Sequence, residues 1–185
     1  TKTRKEYTKS ALPKEYVMYS TGISARKGGV AVFIKKAFLD KFLTAEWAVI
    51  VEGRVARLTL DGPMGRLCIF AIYLDPSSVE NQVKSIQCIG QATDPHAHNV
   101  LSGDFNFTEM PSDRIAKQTA DLSKSEDRRQ TEEWKQYVHA RGFREFHQPH
   151  YSCENSHGWS RIDRVYSDLH AANLLTVQSF CNLLE

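Results

Sequence analysis

The sequence predicts an α+β domain, or a layered α/β one, and three observations carry that expectation. Apolar runs of strand length crowd residues 30–74 with turn-forming clusters between them. Helix-spaced segments then alternate with further short apolar runs. The cluster Asp61-Gly62-Pro63-Met64-Gly65 signals a hairpin. So much antiparallel pairing argues against a plain doubly wound nucleotide fold.

Length and composition bound the rest. The chain has 185 residues, enough for a single domain (1–185) with a sizeable core. It is 41% hydrophobic and 25% charged, ordinary values for a soluble globular protein. A net charge of +2 does not mark a nucleic-acid binder, but it allows one if the basic residues share a face. No apolar run would span a membrane, and no secretory-type N-terminus is present, so no membrane partner is expected. Cys68, Cys88, Cys153 and Cys181 form no C-x-x-C pair. Cys68 and Cys88 sit in apolar patterns and read as buried thiols in a reducing, intracellular compartment.

In chain order, residues 1–14 are polar and basic and read as loop. Glu15–Ser20 and Val30–Ile34 read as strands, the second preceded by Gly28-Gly29. Trp47–Leu60 reads as one strand run, alternating in its second half. Leu67–Leu74 is the most apolar strand, expected to be buried on both faces. Ser77 and Glu80 fit a capping box for a helix carrying Val79, Val83, Ile86 and Ile89, with Gly90 as its stop. Thr131 is expected to cap a second helix, with Trp134, Tyr137 and Val138 on one face and Gly142 at its end. Phe143–His147, Arg161–Tyr166 and Leu174–Phe180 read as further strands. His96 and His98, and the scattered His147, His150 and His157, match no zinc spacing and are read as loop residues.

The stretch Asn99-Val100-Leu101-Ser102-Gly103-Asp104-Phe105-Asn106-Phe107 carries the clearest chemistry. A short buried strand reaches a glycine. Asp104 and Asn106 then fall at i and i+2, on one face of an extended backbone. A carboxylate there can orient a water or share a cation, and the amide can donate to a phosphate oxygen. The alternative is an ordinary Gly-Asp-Asn turn. Asp163, in Arg161-Ile162-Asp163-Arg164-Val165-Tyr166, is placed to face the same cavity. Its alternative is a surface carboxylate paired to Arg161 or Arg164.

Four motifs appear in order: Gly-Gly-Val-Ala-Val-Phe-Ile (28–34), Ile-Tyr-Leu-Asp-Pro (72–76), Gly-Asp-Phe-Asn (103–106) and Ser-Arg-Ile-Asp-Arg-Val-Tyr (160–166). Together they resemble the endonuclease/exonuclease/phosphatase superfamily, and the Ser-Arg-Ile-Asp spelling looks most like the endonuclease domain of non-LTR retrotransposons. The resemblance runs from about Gly28 to the end of the chain. It implies a four-layered α/β sandwich, DNase I-like, with two mostly antiparallel sheets flanked by helices. It also implies a metal-dependent phosphodiesterase using Mg²⁺ or Mn²⁺, and DNA as the nucleic-acid partner. A nuclear location and a reverse transcriptase domain in the parent polyprotein belong to the same expectation.

Carried over by residue, Asp104 would orient and help deprotonate the attacking water, and Asn106 would hold a phosphate oxygen or support that water. Tyr73 would donate its hydroxyl to the phosphate or assist the leaving group. Asp163 would orient a catalytic histidine. Ser160 and Arg161 would bind substrate, and Asp104 and Asn106 are candidate metal ligands. The resemblance also departs from the family. The family's main metal-binding glutamate would lie upstream of Thr1, and its catalytic histidine beyond the end of the chain. Ser167-Asp168-Leu169-His170 imitates that histidine's motif but comes too early. The chain therefore reads as an internal fragment lacking its first strands and its last strand, inactive alone. The alternatives are another phosphoesterase of the superfamily (acting on RNA, an inositol phosphate or a lipid headgroup) and an inactive truncated copy.

Overall fold

The computed structural model describes residues 13–22, 28–117, 127–146, 148–156 and 158–169. The expected strand over 174–180 lies outside these residues, as do His147, His157 and Cys181. A six-stranded sheet forms the centre, in the order β3-β4-β5-β6-β11-β8. Its strands are β3 (Thr44–Val51), β4 (Val55–Gly62), β5 (Gly65–Tyr73), β6 (His98–Asp104), β8 (Arg144–Glu145) and β11 (Asp163–Ser167). Within it β5 and β6 run parallel; every other pair is antiparallel. A ribbon of β1 (Tyr16–Thr21) and β2 (Val30–Lys35) covers one face. A three-stranded sheet of β7 (Arg114–Ala116), β10 (Gly158–Ser160) and β9 (Cys153–Glu154) stands beside it. Helices α1 (Lys36–Leu39), α2 (Val79–Ala92) and α3 (Arg128–Tyr137), with short 3₁₀ turns at Pro111–Asp113 and His139–Arg141, complete the described elements. No helix among them is long and apolar enough to cross a membrane.

Period-two alternation sorts the central strands into two cores. Ala56 and Ala71 pack with Val30 of the ribbon, while Leu58 and Leu60 pack with Ile34. The alternate positions Val55, Cys68, Phe70, Ile72 and Leu101 face α2 and α3, as sheet geometry requires. There Phe105 meets Trp134 and Tyr166 edge to face at 5.1 and 5.3 Å between ring centroids, and Trp134 and Tyr166 lie tilted at 4.9 Å. Leu67–Leu74 is buried on both faces over much of its length, as its composition implies.

Several local expectations are corrected. Trp47–Leu60 is two strands. Gly53, at φ 62°, turns the chain between them at a position that favours glycine. Ser78, one residue after the expected cap, accepts from the Asn81 N–H and starts α2, while Ser77 bonds Asp75. Gly90 lies inside α2: a Cβ there would stand 2.8 Å from that of Tyr137, so the glycine lets α3 approach. Asp127, not Thr131, precedes α3, and Thr131 is buried within it. Gly142 does end the following turn, at φ 86°. The 143–147 strand shrinks to Arg144–Glu145.

Gly103 is the tightest point of the sheet. Its φ is +146°, and a Cβ there would lie 1.9 Å from the Ile72 carbonyl oxygen on β5. Gly103→Ala is expected to destabilise the protein by roughly 3 kcal/mol, by parting β5 from β6. Urea unfolding measures this; an unchanged midpoint would contradict it.

Candidate active site

The site is built by register. Tyr73 at the end of β5 stands opposite Asp104 at the end of β6, and Asp163 at the start of β11 stands opposite Asp104 on the other side. Directly paired positions share a face, so the three side chains form one row across three strands. Arg54 extends the row. Its carbonyl accepts the Tyr73 N–H at 2.8 Å, and its guanidinium lies over the Tyr73 ring, 4.8 Å from the centroid. The Gly29 N–H donates to the Gly53 carbonyl at 2.9 Å, which ties the ribbon's glycine pair to this rim.

The two loops that follow the parallel strands complete the rim. The Leu74 N–H donates to the Asp104 carbonyl at 2.9 Å, and the Phe105 N–H donates to the Ile162 carbonyl at 2.8 Å. Asn106 has φ 50°, the left-handed region that asparagine tolerates. That bend lets its own N–H donate to Asp104 Oδ1 at 2.9 Å, while its Nδ2 donates to the Leu74 carbonyl at 2.9 Å. Behind the loops runs a buried amide relay. Gln130 donates to Gln82, and Gln82 donates to the carbonyls of Asp75 and Asn106. The i, i+2 spacing of Asp104 and Asn106 thus produces a hydrogen-bonded pair rather than two side chains on a straight strand.

Electrostatics single out Asp104. Burial, and next the facing charge of Asp163, push its carboxyl up to about 6 against the opposing hydrogen bond from Asn106. Asp75 is the reverse case: the Ser77 hydroxyl and Asn81 amide, assisted by Arg54 at 3.6 Å, hold it down at about 2. Asp163 is not tied to its neighbouring arginines. Arg164 projects to the opposite, helix-side face, where it is fully buried against Asp113 (2.8 Å), Glu109 (3.1 Å) and the Tyr166 hydroxyl (2.9 Å). Arg161 binds the other Asp113 oxygen and, at 2.8 Å, the Gln148 carbonyl. Ser160 is buried in β10, with its backbone opposite Cys153 and Arg114.

The imitation motif is structural. Asp168 lies at the far end of β11 from Asp163, where it accepts from the Asn99 N–H at 2.8 Å and from Asn99 Nδ2 at 2.6 Å. His96 and His98 line a cavity of about 750 Å³ at that same far end, with Arg66, Asn99 and Arg141.

No family model matches the chain, and no curated protein matches its sequence. Solved structures do match its fold. The endonuclease domain of TRAS1, a telomere-specific non-LTR retrotransposon, is 12% identical, with a TM-score of 0.54 over 83% of this chain. An AP endonuclease from Archaeoglobus fulgidus is 14% identical, with a TM-score of 0.58 over 86% of this chain. An endonuclease/exonuclease/phosphatase family protein from Leptotrichia buccalis is 16% identical, with a TM-score of 0.56 over 89% of it. The chain has the endonuclease/exonuclease/phosphatase, DNase I-like fold. It spans 65%, 71% and 63% of the lengths of those three structures.

Among the described residues no group of three or more His, Cys, Asp or Glu could hold a metal ion. The two facing carboxylates, Asp104 raised in proton affinity by burial and next by the charge of Asp163, would supply hard oxygen donors of the kind that hold Mg²⁺ together with substrate phosphates. Arg54 and Asp75 are site residues that sequence reasoning missed. Both flank Tyr73 in primary structure or in register, and only the β4–β5 pairing reveals Arg54.

The charge pair sets a pH dependence. A carboxyl raised in the folded state costs stability while ionised, and that cost is relieved as pH falls through about 6. Asp163→Asn should therefore lower the Asp104 pKa from about 6 and stabilise the protein at pH 7 by roughly 1 kcal/mol. Carboxyl-carbon NMR titration of Asp104 reads the first effect; an unmoved titration would contradict the pairing.

Proposed function

We propose that this chain carries the catalytic row of a phosphodiesterase that nicks DNA, as an endonuclease like that of the TRAS1 retrotransposon would. The observation that carries this reading is the register Tyr73–Asp104–Asp163, which puts a phenol and two carboxylates at one rim of the sheet. Asp104, with its proton affinity lifted to about 6, accepts a proton from an attacking water near neutral pH better than an ordinary aspartate. Asn106 keeps Asp104 oriented through its backbone N–H and offers the remaining amide hydrogen to a non-bridging oxygen. Tyr73 donates its hydroxyl to the phosphate, and Arg54 adds positive charge beside it. Asp163 supports Asp104 and orients a histidine delivered to that rim.

Asp104 and Asp163 would hold Mg²⁺ or Mn²⁺. Such an ion neutralises phosphate charge when bound. Arg161 contributes through Asp113, which fixes the approach to Asp163. A nick made this way would offer a DNA end to a reverse transcriptase.

The test is nicking of supercoiled plasmid with Mg²⁺, by this chain and by a version extended at both ends from its source gene, read in whichever of them nicks. Asp104→Asn should lower the rate by ~10²–10⁴-fold. Equal rates with and without that substitution would overturn the role of Asp104. Hydrolysis of a simple phosphodiester without plasmid nicking would retain the phosphodiesterase and remove DNA.

A further inference from the structure

The segment that follows Asn106 is gripped by α3 at both ends. At the N-terminal end, Asp127 Oδ2 accepts from the Thr108 N–H at 2.7 Å and from its hydroxyl at 3.0 Å. Past the C-terminal end, His139 Nε2 meets Glu109 Oε2 at 2.7 Å. The other ring nitrogen of His139, Nδ1, meets the Phe143 carbonyl at 3.1 Å.

That geometry favours a ring protonated on both nitrogens. A carbonyl only accepts, so Nδ1 carries a hydrogen. Glu109 already accepts from Arg164 Nη1 at 3.1 Å and from the Tyr166 hydroxyl through its other oxygen, and the bonds it receives hold its carboxyl below the usual range, which favours the carboxylate. Nε2 must then donate to it as well. A ring that donates from both nitrogens is imidazolium. A neutral ring would turn a lone pair toward one of two acceptors.

We propose that His139 is a positioning residue: as imidazolium it holds Glu109, and through it the segment bearing Asn106, so that the site tightens below its pKa and loosens above it. The proposal rests on the phosphodiesterase reading for its effect on rate, but not for the latch itself. The hydrogen bond and charge of Glu109 raise the His139 pKa despite burial of the ring. Burial pushes Glu109 up, and the bonds from His139 and Tyr166 more than offset it. A cation whose folded pKa is raised stabilises below its unfolded pKa, and the contribution is lost as pH rises through the folded one. The other groups around the ring keep this sign. Glu145 of β8 adds negative charge, the Tyr166 ring of β11 lies edge-on at 6.0 Å, and Arg164 and Asp113 are paired to each other behind Glu109. On His139's own turn, Arg141 is occupied by the Gly90 carbonyl and the Thr93 hydroxyl.

The experiment compares amide hydrogen exchange of Thr108–Met110 in wild type, His139→Gln and His139→Arg at pH 6 and pH 9, each referenced to Ile86 in the same protein. At pH 6 His139→Gln should exchange roughly tenfold faster than wild type, the worth of one charge-assisted bond. At pH 9 the two should converge, while His139→Arg, with its permanent charge, retains protection. Should a variant fail to fold, the wild-type series alone must show protection of Thr108–Met110 falling between the two pH values while Ile86 holds. Equal exchange at pH 6, or the same difference at both pH values, would overturn the latch. In plasmid nicking, wild-type kcat should fall on the alkaline side and that of His139→Arg should not. A latch that passes the exchange test in a protein that never nicks would count against the phosphodiesterase reading alone.

Discussion

Two aspartates face each other across one antiparallel pair. Asp163 opposite Asp104 is an unfavourable contact, since like charges at paired positions repel. The sheet accepts it because the pairing is enforced elsewhere. Val165, Tyr166 and Ser167 complete the ladder, and Tyr166 is sealed into the aromatic cluster with Phe105 and Trp134. Burial first, and this repulsion next, raise the proton affinity of Asp104. Local charge strain bound into an otherwise well-packed sheet is the physical form that an acid–base site takes.

The reverse face of the same strands supplies the stiffness. Asp163 and Arg164 are neighbours in sequence but project to opposite sides of β11, one to the rim and one into the core. Buried Arg164 is a liability unless fully paired. It is paired, by Asp113, Glu109 and the Tyr166 hydroxyl, and the carbonyl of Arg161 takes two of its N–H groups. This cluster anchors residues 109–113 beneath the rim, while the Gln130–Gln82 relay anchors the Asp75 and Asn106 loops from the helix side. Asn106 can then hold a positive φ without a glycine, because hydrogen bonds on both sides fix it.

Much of this was legible in the sequence because it follows from short-range rules. Strand periodicity placed β1, β2, β5 and β6, and the 61–65 turn placed the β4–β5 hairpin. Asp104 and Asp163 were readable as one site because both end or begin a strand at a recognisable motif. What was not legible depends on partners distant in sequence. Gly53 looked like a residue within a long strand, and only tertiary pairing makes it a turn. Gly90 looked like a helix stop, but it is a contact with Tyr137, which lies in another helix. Arg54 carried no motif and reaches Tyr73 through register. The ion pair of Arg161 with Asp113 was not legible either, because it spans 48 positions of sequence.

In the proposed site Asp104 and Asp163 act as one cation-accepting pair. Titration with Mn²⁺, followed by paramagnetic broadening of backbone amides, tests that most directly. The amides of Asp104, Asp163 and Tyr73 should broaden first, and Asp104→Asn should abolish the effect. Broadening centred elsewhere, or unchanged in Asp104→Asn, would contradict it.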